Sequence, residues 1–302
     1  MKKDLLSILD LSKEDILNLF DKADEIKNLW RGNKIYRPLE GKSLGMIFQK
    51  PSTRTRLSFE VGMYQLGGHP VFLSPGSMQL KRGETIEDTA KVLSRYIDGI
   101  MIRTFDQNEV IKLAKAATIP VINGLTDLFH PCQALSDYYT LWQRTKEMSK
   151  ITLCYIGDGN NVCHSLILGA VKLGINIIVS NPKGYEPNKE IIEKAKKING
   201  KKISFIDDPL KAVKEADVIY TDVWTSMGEE REEDIRKKVF LPYQVNLNLL
   251  KRAKKEVLVM HCLPAHRGEE IVDEVIDGEN SIVFEQAENR LHLQKAILVE
   301  LI

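Results

Sequence analysis

Six short stretches concentrate the residues that could do chemistry: PSTRTR at 51–56, Arg103-Thr104, HPCQ at 130–133, GDGNN at 157–161, DVWTSMG at 222–228 and HCLPAHR at 261–267. In the first, Ser52, Thr53 and Thr55 hydroxyls and the Arg54 guanidinium sit at the start of a helical pattern. A helix N-terminus exposes unpaired N–H groups and carries about half a positive charge. With these added donors it is an anion site of phosphate size. An ordinary N-cap accounts for the same residue types, and on this stretch alone both readings stand. The glycine-rich loop and lysine of a nucleotide P-loop are missing, so a small phosphate-bearing molecule fits better than ATP. Arg56 points away by helical spacing and is assigned to structure or to a subunit contact.

Arg103 closes an apolar run, where an arginine is either ion-paired or reaching a ligand. Pro131 suits the first position of a helix, which leaves His130 just outside it, able to donate to a carbonyl-type oxygen, and Gln133 in the first turn with an amide to offer. GDGNN falls short of the dinucleotide fingerprint GxGxxG, because Val162 stands where the third glycine belongs. Asn160 and Asn161 are then hydrogen-bonding groups or caps. Asp222 could hold or deprotonate an ammonium group. Cys262 lies just past a strand end between His261 and His266. One Cys with two His at this spacing lacks a fourth zinc ligand, while a Cys–His nucleophile and a small buried hydrophobe both remain open.

These stretches need a scaffold, and the rest of the chain supplies one. Its 302 residues suit two domains. Lys plus Arg, 43, nearly cancels Asp plus Glu, 42, which argues against bulk nucleic-acid binding; the densest basic run, KKINGKK at 196–202, reads as a solvated helix end. No apolar run approaches the ~20 residues of a bilayer span, the N-terminal segment is too charged for a signal peptide, and the four cysteines show no disulfide or CxxC spacing. A cytoplasmic protein with reduced thiols is expected.

A first helix is expected from an N-cap at Ser12, with Ile16, Leu19, Phe20, Ala23, Ile26 and Trp30 on one face. Strands are then expected at 43–48, 70–74, 98–104 and 119–123, alternating with helices at 53–66, 84–96 and 107–117 and a long one from Pro131. The alternation restarts after 149–150. Strands are expected in ITLCYIG, INIIVS, KISFID, DVIYTDV, EVLVMHCLP and SIVFE, with a polar loop after the fourth and a last helix closing the chain. Two successive βα series predict an α/β protein of two domains, each with a mainly parallel sheet flanked by helices, and a hinge near 135–150. Ligands of such sheets bind at the carboxyl ends of the strands, and all six stretches fall there.

In this order and at these spacings, PSTRTR, HPCQ, GDGNN, DVWTSMG and HCLP resemble the ornithine carbamoyltransferases, in the aspartate/ornithine carbamoyltransferase superfamily. The resemblance spans essentially the whole chain. PSTRTR and HPCQ mark the broader group, whereas the D-x-x-x-S-M-G loop and HCLP point to the ornithine branch. The resemblance implies transfer of a carbamoyl group from carbamoyl phosphate to L-ornithine, giving L-citrulline and phosphate, without metal or organic cofactor. It implies a carbamoyl phosphate-binding domain over 1–147, completed by the C-terminal helix 286–302, and an ornithine-binding domain over 148–285. By matching position, Ser52, Thr53, Arg54 and Thr55 would hold the phosphate, and Arg103, His130 and Thr55 would polarise the carbonyl. Gln133, the Cys262–Leu263 backbone and Arg290 would bind the carbamoyl end. Asn161, Asp222, Ser226 and Met227 would take ornithine. Gln79, in SMQLKRG, matches a residue that reaches a neighbouring subunit's site, which implies a homotrimer or a multiple of it.

Elementary chemistry fits that reaction. Attack on carbamoyl phosphate builds negative charge on the carbonyl oxygen, which fixed donors stabilise. An amine of lysine-like pKa is neutral in only about one molecule in a few thousand at pH 7, so the site must favour the deprotonated amine or remove its proton. Asp222 as orienter of the ammonium and Cys262 as proton acceptor is the expected division. Domain closure would exclude water. Putrescine is the alternative amine, aspartate is disfavoured by the acidic 222–230 loop, and a non-catalytic anion-binding protein is the rival outside enzymes.

Overall fold

The computed structural model describes residues 3–74, 83–228 and 230–302. Gln79 lies outside them. The chain divides into two compact units, Met1–Tyr139 with Glu288–Ile302, and Thr140–Ala287.

In the first unit, α1 (Lys13–Arg31) starts at a reciprocal capping box between Ser12 and Asp15. It buries Ile16, Leu19, Phe20, Ala23 and Ile26, the stripe its 3.6-residue period dictates. Trp30, expected on that stripe, is 46% exposed. There follow β1 (Ser43–Phe48), α2 (Thr53–Gln65), β2 (His69–Leu73), α3 (Ile86–Leu93), β3 (Gly99–Arg103), α4 (Gln107–Ala116), β4 (Val121–Leu125) and α5 (Pro131–Arg144). The four strands form one parallel sheet in the order β2-β1-β3-β4. Leu44, Met46, Ile47, Ile100, Met101, Ile102, Val121 and Ile122 are buried, the unbroken apolar runs of a sheet covered on both faces. Because β1 pairs with β2 on one side and β3 on the other, the strand order reverses there. The crevice beside a reversal is where open α/β sheets bind ligands. The expected 119–123 strand sits two residues later, since Ile119 and Pro120 belong to the approach and Pro120 can only accept, taking the Ile100 N–H.

The second unit runs β5 (Thr152–Ile156), α6 (Asn161–Leu173), β6 (Asn176–Ser180), α7 (Lys189–Asn199), β7 (Ile203–Phe205), α8 (Pro209–Ala212), β8 (Val218–Thr221), α9 (Glu233–Phe240), α10 (Leu247–Leu250), β9 (Leu258–His261) and α11 (Asp273–Ile276). Its parallel sheet has the order β7-β6-β5-β8-β9, with the reversal between β5 and β8. Its core gathers Cys154, Ile156, Ile219, Val245, Val259, Ile271 and Val283.

Two expectations fail here. The polar loop after β8 contains α9, which buries only Arg236 and Phe240, too sparse a stripe to read as a helix. SIVFE is not a strand: Ser281 makes one isolated bridge with Val259, and α12 (Val283–Leu301) begins two residues on. A three-residue apolar run has no period with which to tell the two apart.

Candidate active site

In the first unit the site residues stand at the strand ends. Ser52 is the N-cap of α2, its Oγ accepting the Thr55 N–H at 3.2 Å, which leaves its hydroxyl hydrogen to donate. Capping and anion binding are thus compatible at this helix end. Lys50, buried, forms an ion pair with Asp127 and lies 4.3 Å over the Phe105 ring, tying the turn before α2 to the loop before α5. Arg56 turns outward, with Nε 3.0 Å from Glu60 and its guanidinium 4.0 Å over Phe72.

Arg103 ends β3 at 4% exposure, and its Nε makes no hydrogen bond among the described residues. Burial pulls its pKa down, as do the like charges of Arg290 and Arg54. His130 is buried beside the same three guanidiniums. Desolvation first, then Arg290, Arg103 and Arg54, hold its pKa well below the usual imidazole range, so it is a neutral donor or acceptor. A neutral imidazole amid three cations is what their mutual repulsion dictates.

Arg290, on α12, ties the cluster together. Its Nη1 donates to Gln133 Oε1, its Nη2 to Thr55 Oγ1 at 3.2 Å and its Nε to Gln294 Oε1 at 2.8 Å. Gln294 Oε1 also accepts from Ser58 Oγ at 3.1 Å, and Gln133 Nε2 donates to Asp137 Oδ1 at 2.8 Å. Thr55, Gln133, Arg290, Arg103, Arg54 and His130, expected from sequence, are thereby brought together. Gln294 and Asp137 are additions. No local pattern marks either, because each matters through a partner on α12 or one turn back on α5.

In the second unit, the loops after β5, β8 and β9 hold a carboxylate-centred cluster. Asp222 Oδ2 accepts from Asn160 Nδ2 at 2.8 Å; its Oδ1 accepts from the Val223 N–H and from Cys262 Sγ, both at 2.8 Å. Asn160 also caps α6, its Oδ1 accepting the Val162 and Cys163 N–H groups, so the pair Asn160-Asn161 splits: Asn160 meets Asp222 and Asn161 opens the helix. Gly159 is required by close approach, since a Cβ there would lie 2.3 Å from Pro187 N. Ser226 is half-buried and Met227 46% exposed. Arg236, which sequence reasoning passed over, reaches back from α9 to Asp158 Oδ2 at 3.1 Å and the Trp224 carbonyl at 2.9 Å.

His261 has both ring nitrogens engaged: Nδ1 accepts the Leu263 N–H at 2.8 Å and Nε2 donates to Glu270 at 2.9 Å. The carboxylate can only accept, which fixes the tautomer. Leu263 itself takes the left-handed conformation, with φ of 57°. His261 is therefore no metal ligand in its cluster with Asp222 and Cys262, and two protein ligands fall short of the three a catalytic zinc takes.

Comparison with known proteins matches two domain families in succession along the chain. The carbamoyl-P binding domain of aspartate/ornithine carbamoyltransferase matches residues 3–143, and the Asp/Orn binding domain matches residues 149–301. An ornithine carbamoyltransferase of Oceanobacillus iheyensis is 57% identical over 302 residues, covering 99% of this chain and 94% of the relative. One from Thermococcus kodakarensis is 54% identical over 299 residues, covering 98% and 95%. The solved ornithine carbamoyltransferase from Pyrococcus furiosus superposes with a TM-score of 0.94 at 54% identity, over 98% of this chain and 95% of that one. With both domain families matched in order and near-complete coverage at such identity, the chain belongs to the aspartate/ornithine carbamoyltransferase family.

Proposed function

We infer that this chain is an enzyme that transfers the carbamoyl group of carbamoyl phosphate to the δ-amino group of L-ornithine, giving L-citrulline and phosphate. The observation that carries the amine half of this reading is Asp222, a buried carboxylate at the end of β8 with the Cys262 thiol and the Asn160 amide on it. It supplies the counter-charge an ammonium needs, whereas aspartate would need cations for two carboxylates. The curated relatives at 53–57% identity carry the name ornithine carbamoyltransferase.

In the first unit, Ser52, Thr53, Arg54 and Thr55 hold the phosphate of carbamoyl phosphate. Arg103, His130 and Thr55 take the negative charge that builds on the carbonyl oxygen. Gln133, Arg290 and the backbone at Cys262–Leu263 bind the carbamoyl end, and Asn161, Asp222, Ser226 and Met227 take ornithine. The amine nitrogen attacks the carbamoyl carbon, and the carbon–oxygen bond to phosphate breaks as phosphate leaves with that electron pair. The proton shed by the nitrogen has a route through the thiol: Sγ accepts it while its own hydrogen, already directed at Asp222 Oδ1, moves to the carboxylate. Preorganised donors in a dry site are worth most at the step where charge develops.

The same reading places the protein in arginine metabolism, as a cytoplasmic homotrimer or a multiple of one, with Gln79 reaching a neighbouring subunit's site. These rest on the family resemblance. No helix among the described residues is long and apolar enough to cross a membrane. The test is product formation by the purified protein from carbamoyl phosphate with ornithine, putrescine or aspartate. Citrulline from ornithine, well above carbamoylation of the other two, is expected; its absence would sink the assignment.

A further inference from the structure

We propose that Asp137 is a positioning residue for the reaction, acting through Gln133 to hold the Arg290 guanidinium in register with Thr55. The proposal rests on the functional reading above for its kinetic readout only. Asp137 is fully buried on α5, four residues after Gln133 and so on the same helical face. Its Oδ1 lies 2.8 Å from Gln133 Nε2. At the other end of the same amide, Gln133 Oε1 receives Arg290 Nη1.

The two neighbours leave the amide one orientation. A guanidinium only donates and a carboxylate only accepts. A flipped Gln133 would set NH2 against guanidinium N–H and carbonyl oxygen against carboxylate, losing both bonds and adding two like-signed contacts. Arg290 is read by three oxygens along its edge, Thr55 Oγ1, Gln133 Oε1 and Gln294 Oε1. Of these, Thr55 stands in the helix turn assigned to phosphate. The Gln133 oxygen stays in place only while something on the far side demands the amide nitrogen. That demand is the buried carboxylate of Asp137. A side chain that merely filled space on α5 would not need to be an acid at zero exposure, a costly choice without a donor to meet it.

The test is a polarity swap. Asp137→Asn removes the demand, since asparagine can either donate or accept, and should raise the KM for carbamoyl phosphate about tenfold, the size of effect expected when one buried partner is lost. Gln133→Glu puts two carboxylates face to face and should be worse. The double variant, Asp137→Asn with Gln133→Glu, restores an unambiguous chain: the new amide donates to the new carboxylate, and that carboxylate accepts from Arg290. It should bind carbamoyl phosphate several-fold better than Gln133→Glu alone. Binding of inorganic phosphate, followed by calorimetry on the same four proteins, should rank them in the same order. Additive losses in the double variant, or an Asp137→Asn enzyme with wild-type KM, would overturn the proposal. If a single variant fails to fold, recovery of folded protein in the double supports the pairing and failure of the double refutes it. A wild-type protein that binds phosphate but makes no citrulline refutes the reaction and leaves the calorimetric ranking to decide this inference.

Discussion

Replacing Arg236 by Met keeps most of the apolar stem of the side chain and deletes its charge, which makes the loop it holds accountable. The guanidinium is 6% exposed, bonds Asp158 Oδ2 at 3.1 Å and the Trp224 carbonyl at 2.9 Å, and lies 4.9 Å over the Tyr185 ring. Asp158 is 8% exposed, so its carboxylate would lose a cation in a place with little water to replace it. Breaking such a pair from one side costs about 3–5 kcal/mol. Stranding a buried carbonyl costs roughly 1–3 kcal/mol, but the two losses share one side chain and do not add. A loss of about 3–5 kcal/mol is therefore expected, a large fraction of a domain's ~5–15 kcal/mol. The ion pair to Glu232, at 3.4 Å with Glu232 59% exposed, is worth ~0–1 kcal/mol, so Glu232→Gln serves as the near-silent control. Urea unfolding measures the first quantity. Steady-state kinetics measure the second: Trp224 sits in the 222–228 loop, so KM for ornithine should rise while KM for carbamoyl phosphate holds. A stability loss under ~1 kcal/mol, or parallel changes in both KM values, would show that Arg236 does not set this loop.

Three further outcomes follow from the same geometry. Arg103→Gln should lower kcat/KM by ~10²–10³, the range for losing one preorganised donor to a developing oxyanion, with the fold and unfolding midpoint retained because the deletion also relieves repulsion from Arg54 and Arg290; unchanged turnover would remove it from the carbonyl's environment. Cys262 is half-buried while Cys132, Cys154 and Cys163 are buried, and burial pushes the Cys132 thiol up to about 12. A thiol reagent should therefore label Cys262 first in the native protein, with ornithine slowing the reaction; mass spectrometry of the labelled peptide reads the site. Lys295 is buried on α12 with its ammonium pulled down to about 8 from 10.5 by desolvation. Between those values the folded state has shed a proton that the unfolded chain keeps, so this group makes stability rise with pH from about 8 to 10.5. The rise should be smaller in Lys295→Met, compared by urea unfolding at either end of that window.

Most of the scaffold was legible because a parallel sheet writes itself as short unbroken apolar runs separated by helical periods. β1 could be bounded to the residue, Ser43–Phe48. The failures have the same cause in reverse. Ile282-Val283-Phe284 carries apolar weight without enough length to show a period, and Arg236 hides α9 because a buried charge interrupts the stripe that would have announced it. The strand-end rule found Arg103, His130, Asp222 and Cys262 without any long-range information, since each ends its strand or follows it within five residues. It could not find Gln294, Asp137 or Arg236. Arg290 and Thr55 meet across 235 positions and Arg290 and Gln133 across 157, and no local pattern encodes which oxygen a guanidinium will face.

The two clusters carry opposite electrostatic problems, and each problem is the complement of one ligand. In the first unit, burial and then the charges of Arg290 and Arg54 pull the Arg103 pKa down, and His130 stays neutral beside them. An anion lowers the energy of that arrangement as it binds, and a neutral imidazole can still donate to an oxygen that gains charge later. In the second, a buried carboxylate draws donors from an amide, a backbone N–H and a thiol, an arrangement that an ammonium enters favourably. Acceptors hold one of the cations in place: Gln133, Gln294 and Thr55 around Arg290, with Asp137 behind. Donors already aimed need no reorganisation when charge appears on an oxygen within their reach.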